Sequence, residues 1–90
     1  MLYIVSLTLI KEQSMSSCQE QLNKIGDTAP LTDNCFLIRS NMIATELRDY
    51  IKENISPARI FVSKVAHGAA WANVMVPNSI IKEWYGSNAE

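Results

Sequence analysis

The stretch MLYIVSLTLI at residues 1–10 decides which fold this 90-residue chain can adopt. Ser6 and Thr8 are its only small polar residues, and the charged pair Lys11 and Glu12 follows it. A short run rich in Leu, Ile, Val and Tyr is typical of a strand that is covered on both faces. The run therefore predicts a central strand, which needs a neighbouring strand on each side and a layer of structure above and below.

The composition is that of a small globular protein. Ninety residues predict a single domain, residues 1–90, and 48% of them are hydrophobic. The formal net charge of −1 provides no basic field that would attract a nucleic-acid backbone. Two cysteines, Cys18 and Cys35, are too few for a disulfide-rich secreted domain, so we expect two reduced thiols in a cytoplasmic protein.

The opening run does not have the pattern of a targeting segment. It has no basic residues before it, no clean small-residue cleavage site after it, and fewer than the roughly 20 residues that cross a bilayer. We therefore expect cytoplasmic localisation and no membrane association.

Helical periodicity predicts a first helix after the opening strand. Its buried face is marked by Met15, Cys18, Leu22 and Ile25. The candidate N-caps are Ser14, Ser16 and Ser17. Gly26 is expected to end the helix in a left-handed conformation. Cys18 lies on the apolar face, so we interpret it as a small buried hydrophobic residue.

A second helix is predicted between Ser40 or Asn41, which can cap it, and Pro57, which stops it. Its predicted buried face is formed by Ile43, Leu47, Tyr50, Ile51 and Ile55.

Three further strands and a C-terminal helix complete the predicted elements. Residues 35–39 (CFLIR) and 59–66 (RIFVSKVA) are clear strands, and residues 28–31 form a weaker one that Pro30 confines to an edge. Residues 69–75 fit either a helical turn or a short strand. Pro77 and Asn78 introduce a final short helix, which Gly86 is expected to end.

This order of elements predicts an α+β fold of the ferredoxin-like type. A βαββαβ chain forms a four-stranded antiparallel sheet with both helices on one face, here followed by a short C-terminal helix. The second face of the sheet is then left bare, although the first strand has apolar residues on both faces. We expect the C-terminal segment or a second copy of the chain to cover it.

Several stretches in the predicted order resemble one known family. They are YIVS at 3–6, PLTDNCFLI at 30–38, TELRDYIKENI at 45–55, IFVSKVAHGAAW at 60–71 and IIKEWY at 80–85. The chain resembles the SinR-family branch of the CRISPR-associated protein two superfamily. That resemblance implies a βαββαβ subunit, a homodimer and, in some members, a metal-dependent nuclease.

The resemblance also implies where the chemistry of active members would lie. In those members an aspartate near the end of the first strand helps to hold a divalent ion at the dimer interface. The corresponding residue here is Thr8, whose uncharged hydroxyl cannot replace a carboxylate as a ligand for Mg²⁺. Ile43 likewise replaces the small polar cap of the family's second helix, so this cap must move to Ser40 or Asn41 or be lost. We therefore expect a protein that is not an enzyme.

No other residues form a recognisable catalytic or metal-binding motif. The single histidine, His67, lies at a predicted strand end and is interpreted as a loop residue, because histidine catalysis needs a positioned partner. Asp27 and Asp33 flank a turn and are interpreted as turn formers. No paired Cys or His motif is present, so we predict no catalytic residues, no metal ligands and no cofactor.

RNA-recognition domains share the predicted strand order and stack bases on aromatic residues of their central strands. The aromatic residues of the strands here are Tyr3, Phe36 and Phe61, which do not reproduce that aromatic-rich pattern, and the charge does not favour nucleic acid.

We therefore predict a non-catalytic homodimer that acts by binding a partner. Its predicted dimer interface consists of Ser6, Thr8, Val65, Trp71 and Trp84. The alternative is a metal-dependent endonuclease or an RNA- or DNA-binding protein of the same superfamily. The endonuclease would need acids from elsewhere, such as Glu12 or Asp33. The sequence identifies neither the partner nor the pathway.

Overall fold

The computed structural model describes the backbone of residues 1–66 and 68–88 and the side chains of these residues as far as Gly86. His67, interpreted above as a loop residue, lies outside the described residues. The elements, in chain order, are β1 (Leu2–Thr8), α1 (Met15–Leu22), β2 (Asp27–Thr32), β3 (Cys35–Arg39), α2 (Ala44–Asn54), β4 (Arg59–Lys64) and α3 (Asn78–Asn88).

The four strands form one antiparallel sheet in the order β2-β3-β1-β4. The opening stretch is its centre, since β1 pairs with β3 on one side and with β4 on the other. Strand β2 lies at an edge, as Pro30 predicts. The predicted ferredoxin-like α+β fold is confirmed.

Helices α1 and α2 cover the first face of the sheet. Alternation along β1 points Tyr3, Val5 and Leu7 towards them, and all three are buried. The other members of this core are Cys18, Leu22, Phe36, Ile38, Leu47, Ile51 and Ile55. The interpretation of Cys18 as a buried hydrophobic residue is confirmed.

The C-terminal segment covers one end of the second face. Val76, Ile81 and Trp84 pack there with Leu2 and Leu37 in a second buried cluster. We expected either the C-terminal segment or a second copy of the chain to cover this face, and the C-terminal segment covers one end of it.

The first helix begins as predicted but ends differently. Ser14 is its N-cap and accepts a hydrogen bond from the Ser17 amide at 3.2 Å. The helix ends at Leu22, three residues before Ile25, and Gly26 has no left-handed conformation, so its predicted role as a helix terminator is wrong. A Cβ atom at Gly26 would overlap the carbonyl oxygen of Arg39 in β3. Gly26 is needed because two backbones approach closely there.

Of the alternatives for the second helix, a cap at Ser40 or Asn41 is wrong, and the loss of the side-chain cap is what the structure has. The N-cap is Ile43, whose backbone amide donates to Oε1 of Glu46 at 3.1 Å, half of a capping box. Ser40 is buried instead, and its hydroxyl donates to the Ile25 carbonyl at 2.8 Å and accepts from the Met42 amide at 3.2 Å. Because the helix starts later than expected, Ile43 is 54% exposed and does not belong to the buried face.

Three boundaries differ from the sequence-based expectation. Strand β4 ends at Lys64, not at residue 66. Residues 69–75 are neither helix nor strand. Helix α3 continues through Gly86 to Asn88, because a glycine costs a helix only about 1 kcal/mol and does not by itself end it.

The contact at Gly26 predicts a strong effect of a single methyl group. Gly26→Ala should lower the free energy of unfolding by about 1–3 kcal/mol, because the overlap forces the β3 backbone to move. The measurement is urea unfolding followed by circular dichroism. Gly86→Ala is the control, since a Cβ atom there meets nothing within 4 Å, and it should be neutral or slightly stabilising. Equal effects of the two changes would contradict the close approach.

The uncapped start of α2 predicts that stability can be gained. Ile43→Ser should raise the free energy of unfolding by about 0.5–1 kcal/mol, because a hydroxyl at the N-cap can accept an amide hydrogen bond that isoleucine cannot. Ile43→Ala, which removes the exposed side chain without adding an acceptor, is the control, and the same urea titration measures both. A gain in the free energy of unfolding no larger than that of the alanine variant would show that the missing N-cap acceptor does not limit stability.

Candidate functional site

Helix α3 leaves one end of the second sheet face uncovered. A group of exposed side chains from β1 and β4 lies at this end. Ser6 and Thr8 of β1 lie opposite Phe61 and Arg59 of β4, and directly opposite residues share a face. We call the five exposed residues of this group the open patch; they are Ser6, Thr8, Arg59, Phe61 and Ser63.

Phe61 is the distinctive member of the open patch. Its side chain is 65% exposed, more than that of any other large hydrophobic residue whose exposure is described. It lies in the middle of β4, among polar neighbours on its own face, whereas Ile60 and Val62 point to the first face and pack against the core. The exposure of Phe61 could have been inferred from the sequence RIFVSK, because strand alternation places Phe61 on the same face as the polar residues Arg59 and Ser63.

The structure divides the predicted dimer-interface residues into two groups. Val65 and Trp84 are buried within the chain's own second cluster. Trp71 packs partly against the same cluster, and its Nε1 donates to Oδ1 of Asn78 at 2.9 Å. Ser6 and Thr8 remain exposed in the open patch. Whether any of the five contacts a second copy stays a prediction.

The packing of Trp84 explains why the open patch ends where it does. The Arg39 guanidinium lies 4.6 Å from the centroid of the Trp84 ring. Arg39 also pairs with Asp27 at 2.9 Å and with Glu83 at 3.8 Å. The contacts of Arg39 with Trp84 and Glu83 link α3 to the Leu2 end of the sheet, and the Thr8 end stays exposed to solvent.

Strand β4 is also an edge of the sheet, and its backbone has a free side. The Val65 amide donates to the Leu2 carbonyl at 2.9 Å, so Val65 belongs to a hydrogen-bonded pair. Hydrogen-bonding direction alternates along an antiparallel strand. The backbone groups of Ser63 and Phe61 therefore point towards β1. Those of Ile60, Val62 and Lys64 point outwards, where the described part of the chain places no further strand.

A groove runs between this edge and the start of α2. Its volume is about 300 Å³, and it is lined by Ala44, Thr45, Arg48, Ile60, Phe61 and Val62. Small and apolar side chains form most of its lining. Arg48, the one charged side chain in the lining, pairs with Asp49 at 2.9 Å.

Both thiols and the Tyr3 phenol have environments that disfavour ionisation. Burial raises the pKa of the Cys18 thiol, against a smaller lowering by the Ser17 hydrogen bond, and burial raises the pKa of the Cys35 thiol. Both cysteines are free and remain protonated at neutral pH, a state that is poor for nucleophilic attack. Burial, reinforced by the charge of Glu46, raises the pKa of Tyr3, whose hydroxyl donates to the Met42 carbonyl at 2.8 Å.

Three carboxylates bear on a metal site near Thr8, and each is exposed or engaged with another side chain. Asp27 is engaged with Arg39, and Glu12 is exposed in the loop after β1. Asp33 is exposed in the turn between β2 and β3. Within residues 1–66 and 68–88, no three His, Cys, Asp or Glu side chains form a group that could hold a metal ion.

No helix among the described residues is long and apolar enough to cross a membrane. Comparisons with protein-family models, with curated proteins and with solved structures found no match to this chain.

The buried position of Trp84 predicts that α3 contributes to stability. Trp84→Ala should lower the free energy of unfolding by about 3–5 kcal/mol, because it leaves a large cavity over Leu2 and Leu37. Met75→Ala is the control, since Met75 is 56% exposed and its loss should change stability by no more than about 0.5 kcal/mol. Urea unfolding of the two variants makes the comparison, and equal effects would mean that α3 does not pack on the sheet in solution.

Proposed function

We propose that this protein is a non-catalytic interaction protein that forms a homodimer through the part of its sheet that α3 leaves open. The observation that carries the proposal is Phe61, an aromatic side chain 65% exposed in the middle of an edge strand. Single exposed hydrophobic residues are common on protein surfaces and need no explanation by themselves. Phe61 differs because it lies beside both the groove between α2 and β4 and the outer edge of β4, where the described part of the chain adds no strand.

The size of the chain supports self-association. A domain of 90 residues buries a smaller share of its surface than a larger one and has little core to spare. An aromatic residue left in solvent contributes nothing to folding here, whereas aromatic residues are enriched in the cores of protein interfaces. A second copy presents the same patch, so a two-fold axis buries Phe61 on both subunits at once.

The local chemistry supports a binding role. Thr8 lies in the open patch at the end of β1, where its hydroxyl offers no negative charge to a divalent ion. The two cysteines are held as thiols by burial. Membership of the SinR-family branch is part of the proposal and is supported by the stretches quoted above in their order along the chain.

The proposal predicts a dimer that depends on Phe61. Sedimentation velocity at tens of micromolar should show a dimer, and Phe61→Asp should weaken it at least tenfold. The reason is that burying one large apolar side chain contributes about 1.5–3 kcal/mol. Met75→Asp is the matched control. Met75 is 56% exposed, but its amide donates to the Leu31 carbonyl at the opposite edge of the sheet, so its substitution should leave the dimer intact.

Two results would contradict this proposal. A wild-type chain that sediments as a monomer at tens of micromolar removes the homodimer. Cleavage of labelled RNA or DNA that requires Mg²⁺ or Mn²⁺, and is lost in Glu12→Gln or Asp33→Asn, supports the nuclease alternative. Salt-sensitive binding of nucleic acid without cleavage supports a nucleic-acid-binding module.

A further inference from the structure

We propose that the outer edge of β4 pairs antiparallel with the same edge of a second copy, joining the two four-stranded sheets into one sheet of eight strands. The inference rests on the proposed self-association and specifies the surface that mediates it. Ser6 and Thr8 then flank the contact, and β4 forms it.

The backbone of β4 is available for this pairing. The outward-pointing amides and carbonyls of Ile60, Val62 and Lys64 form a row that matches the spacing of a further antiparallel strand. Exposed strand edges with such rows are templates for another chain. The opposite edge is less suitable, because Pro30 in β2 has no amide hydrogen to donate.

The side chains next to this edge define what an added strand must carry. On the first face, the groove offers Ala44, Thr45 and Arg48 from α2 together with Ile60 and Val62, and Arg48 is paired with Asp49. On the second face, the neighbour is the exposed ring of Phe61. Because successive side chains of a strand alternate between faces, the added strand needs small or apolar residues at every second position and an aromatic residue between them.

Strand β4 itself meets that requirement. Ile60 and Val62 are its apolar residues on the groove side, and Phe61 lies between them on the other face. In a two-fold pairing centred on Phe61, Ile60 of one copy lies opposite Val62 of the other. The two Phe61 rings then face each other at a non-hydrogen-bonded position, the closer type of antiparallel pair.

Charge is compatible with this register. Arg59 falls opposite Ser63 of the second copy, and Lys64 falls opposite Ala58. Like charges that lie directly opposite each other destabilise an antiparallel pair, and this register places none in that position. Shifting the axis by one residue to Val62 places Phe61 opposite Ser63 and separates the two rings, so Phe61 selects the register.

Hydrogen exchange on the unmodified chain tests the backbone pairing. Between a dilute sample and one at tens of micromolar, where the dimer is expected, the Ile60 and Val62 amides should exchange at least tenfold more slowly, because the second copy accepts their hydrogen bonds. The amides of Phe61 and Ser63, already bonded within the sheet, and those of β2 are the internal controls and should not change in the same way.

Cysteine cross-linking tests the register. In a Cys35→Ser background, with Cys18 buried and Phe61 kept, the double variant Arg59→Cys/Ser63→Cys should form intermolecular disulfides on mild oxidation at least tenfold faster than Ser63→Cys or Thr8→Cys alone. Residue 59 of one copy lies opposite residue 63 of the other, and the two meet the Cα separation that a disulfide allows. In the single variants the two introduced thiols are roughly 13 Å apart along the strand for residue 63 and at least roughly 14 Å apart, across three strand spacings, for residue 8.

The outcomes separate this inference from the proposed function. Slowed Ile60 and Val62 amides with preferential cross-linking between residues 59 and 63 support both. A dimer whose Ile60 and Val62 amides are unchanged, or which cross-links fastest through residue 8, retains self-association and overturns edge pairing in favour of face-to-face packing. A chain that is monomeric throughout the concentration range overturns both.

Discussion

The structure depends on a single constraint, which is that β1 has apolar side chains on both of its faces. Tyr3, Val5 and Leu7 are buried under α1 and α2, and Leu2 and Ile4 lie on the other side. A strand of this kind is stable only when two separate layers remove it from water, because the hydrophobic contribution scales with the apolar area buried on each face. The central position of β1, the placement of both helices and the return of the C-terminal segment over the sheet all satisfy this requirement.

The second layer is incomplete, and its limits determine where the candidate site lies. Helix α3 is held over the Leu2 end of the sheet by Trp84 and by its contacts with Arg39. Towards the other end of β1 the sequence changes from Leu2 and Ile4 to Ser6 and Thr8, which tolerate water. On this face of β1, apolar residues lie where α3 covers the sheet and polar residues lie where it does not. The open patch therefore does not expose the core.

Phe61 is the exception to that match, and it links the fold to the proposed function. A chain whose remaining open-face residues are Ser, Thr and Arg gains no stability as a monomer from an exposed phenyl ring. The ring lies beside the α2–β4 groove and the outward-pointing backbone of the edge strand, where it can gain burial only from a second molecule. The proposed edge pairing makes the aromatic side chain, the groove and the strand edge parts of one surface.

The sequence by itself determined the order of the elements, the central position of β1, the edge position of β2 and most of the first core, because strand alternation, helical spacing and proline act locally. Other features were decided only by the tertiary structure. Gly26 is required by the backbone of β3, and Ser40 bonds to the loop after α1. Val65 and Trp84 are buried in the second cluster instead of remaining exposed. Each of these depends on residues far apart in the chain, and a local pattern carries no information about which distant backbone or side chain will occupy the adjoining space.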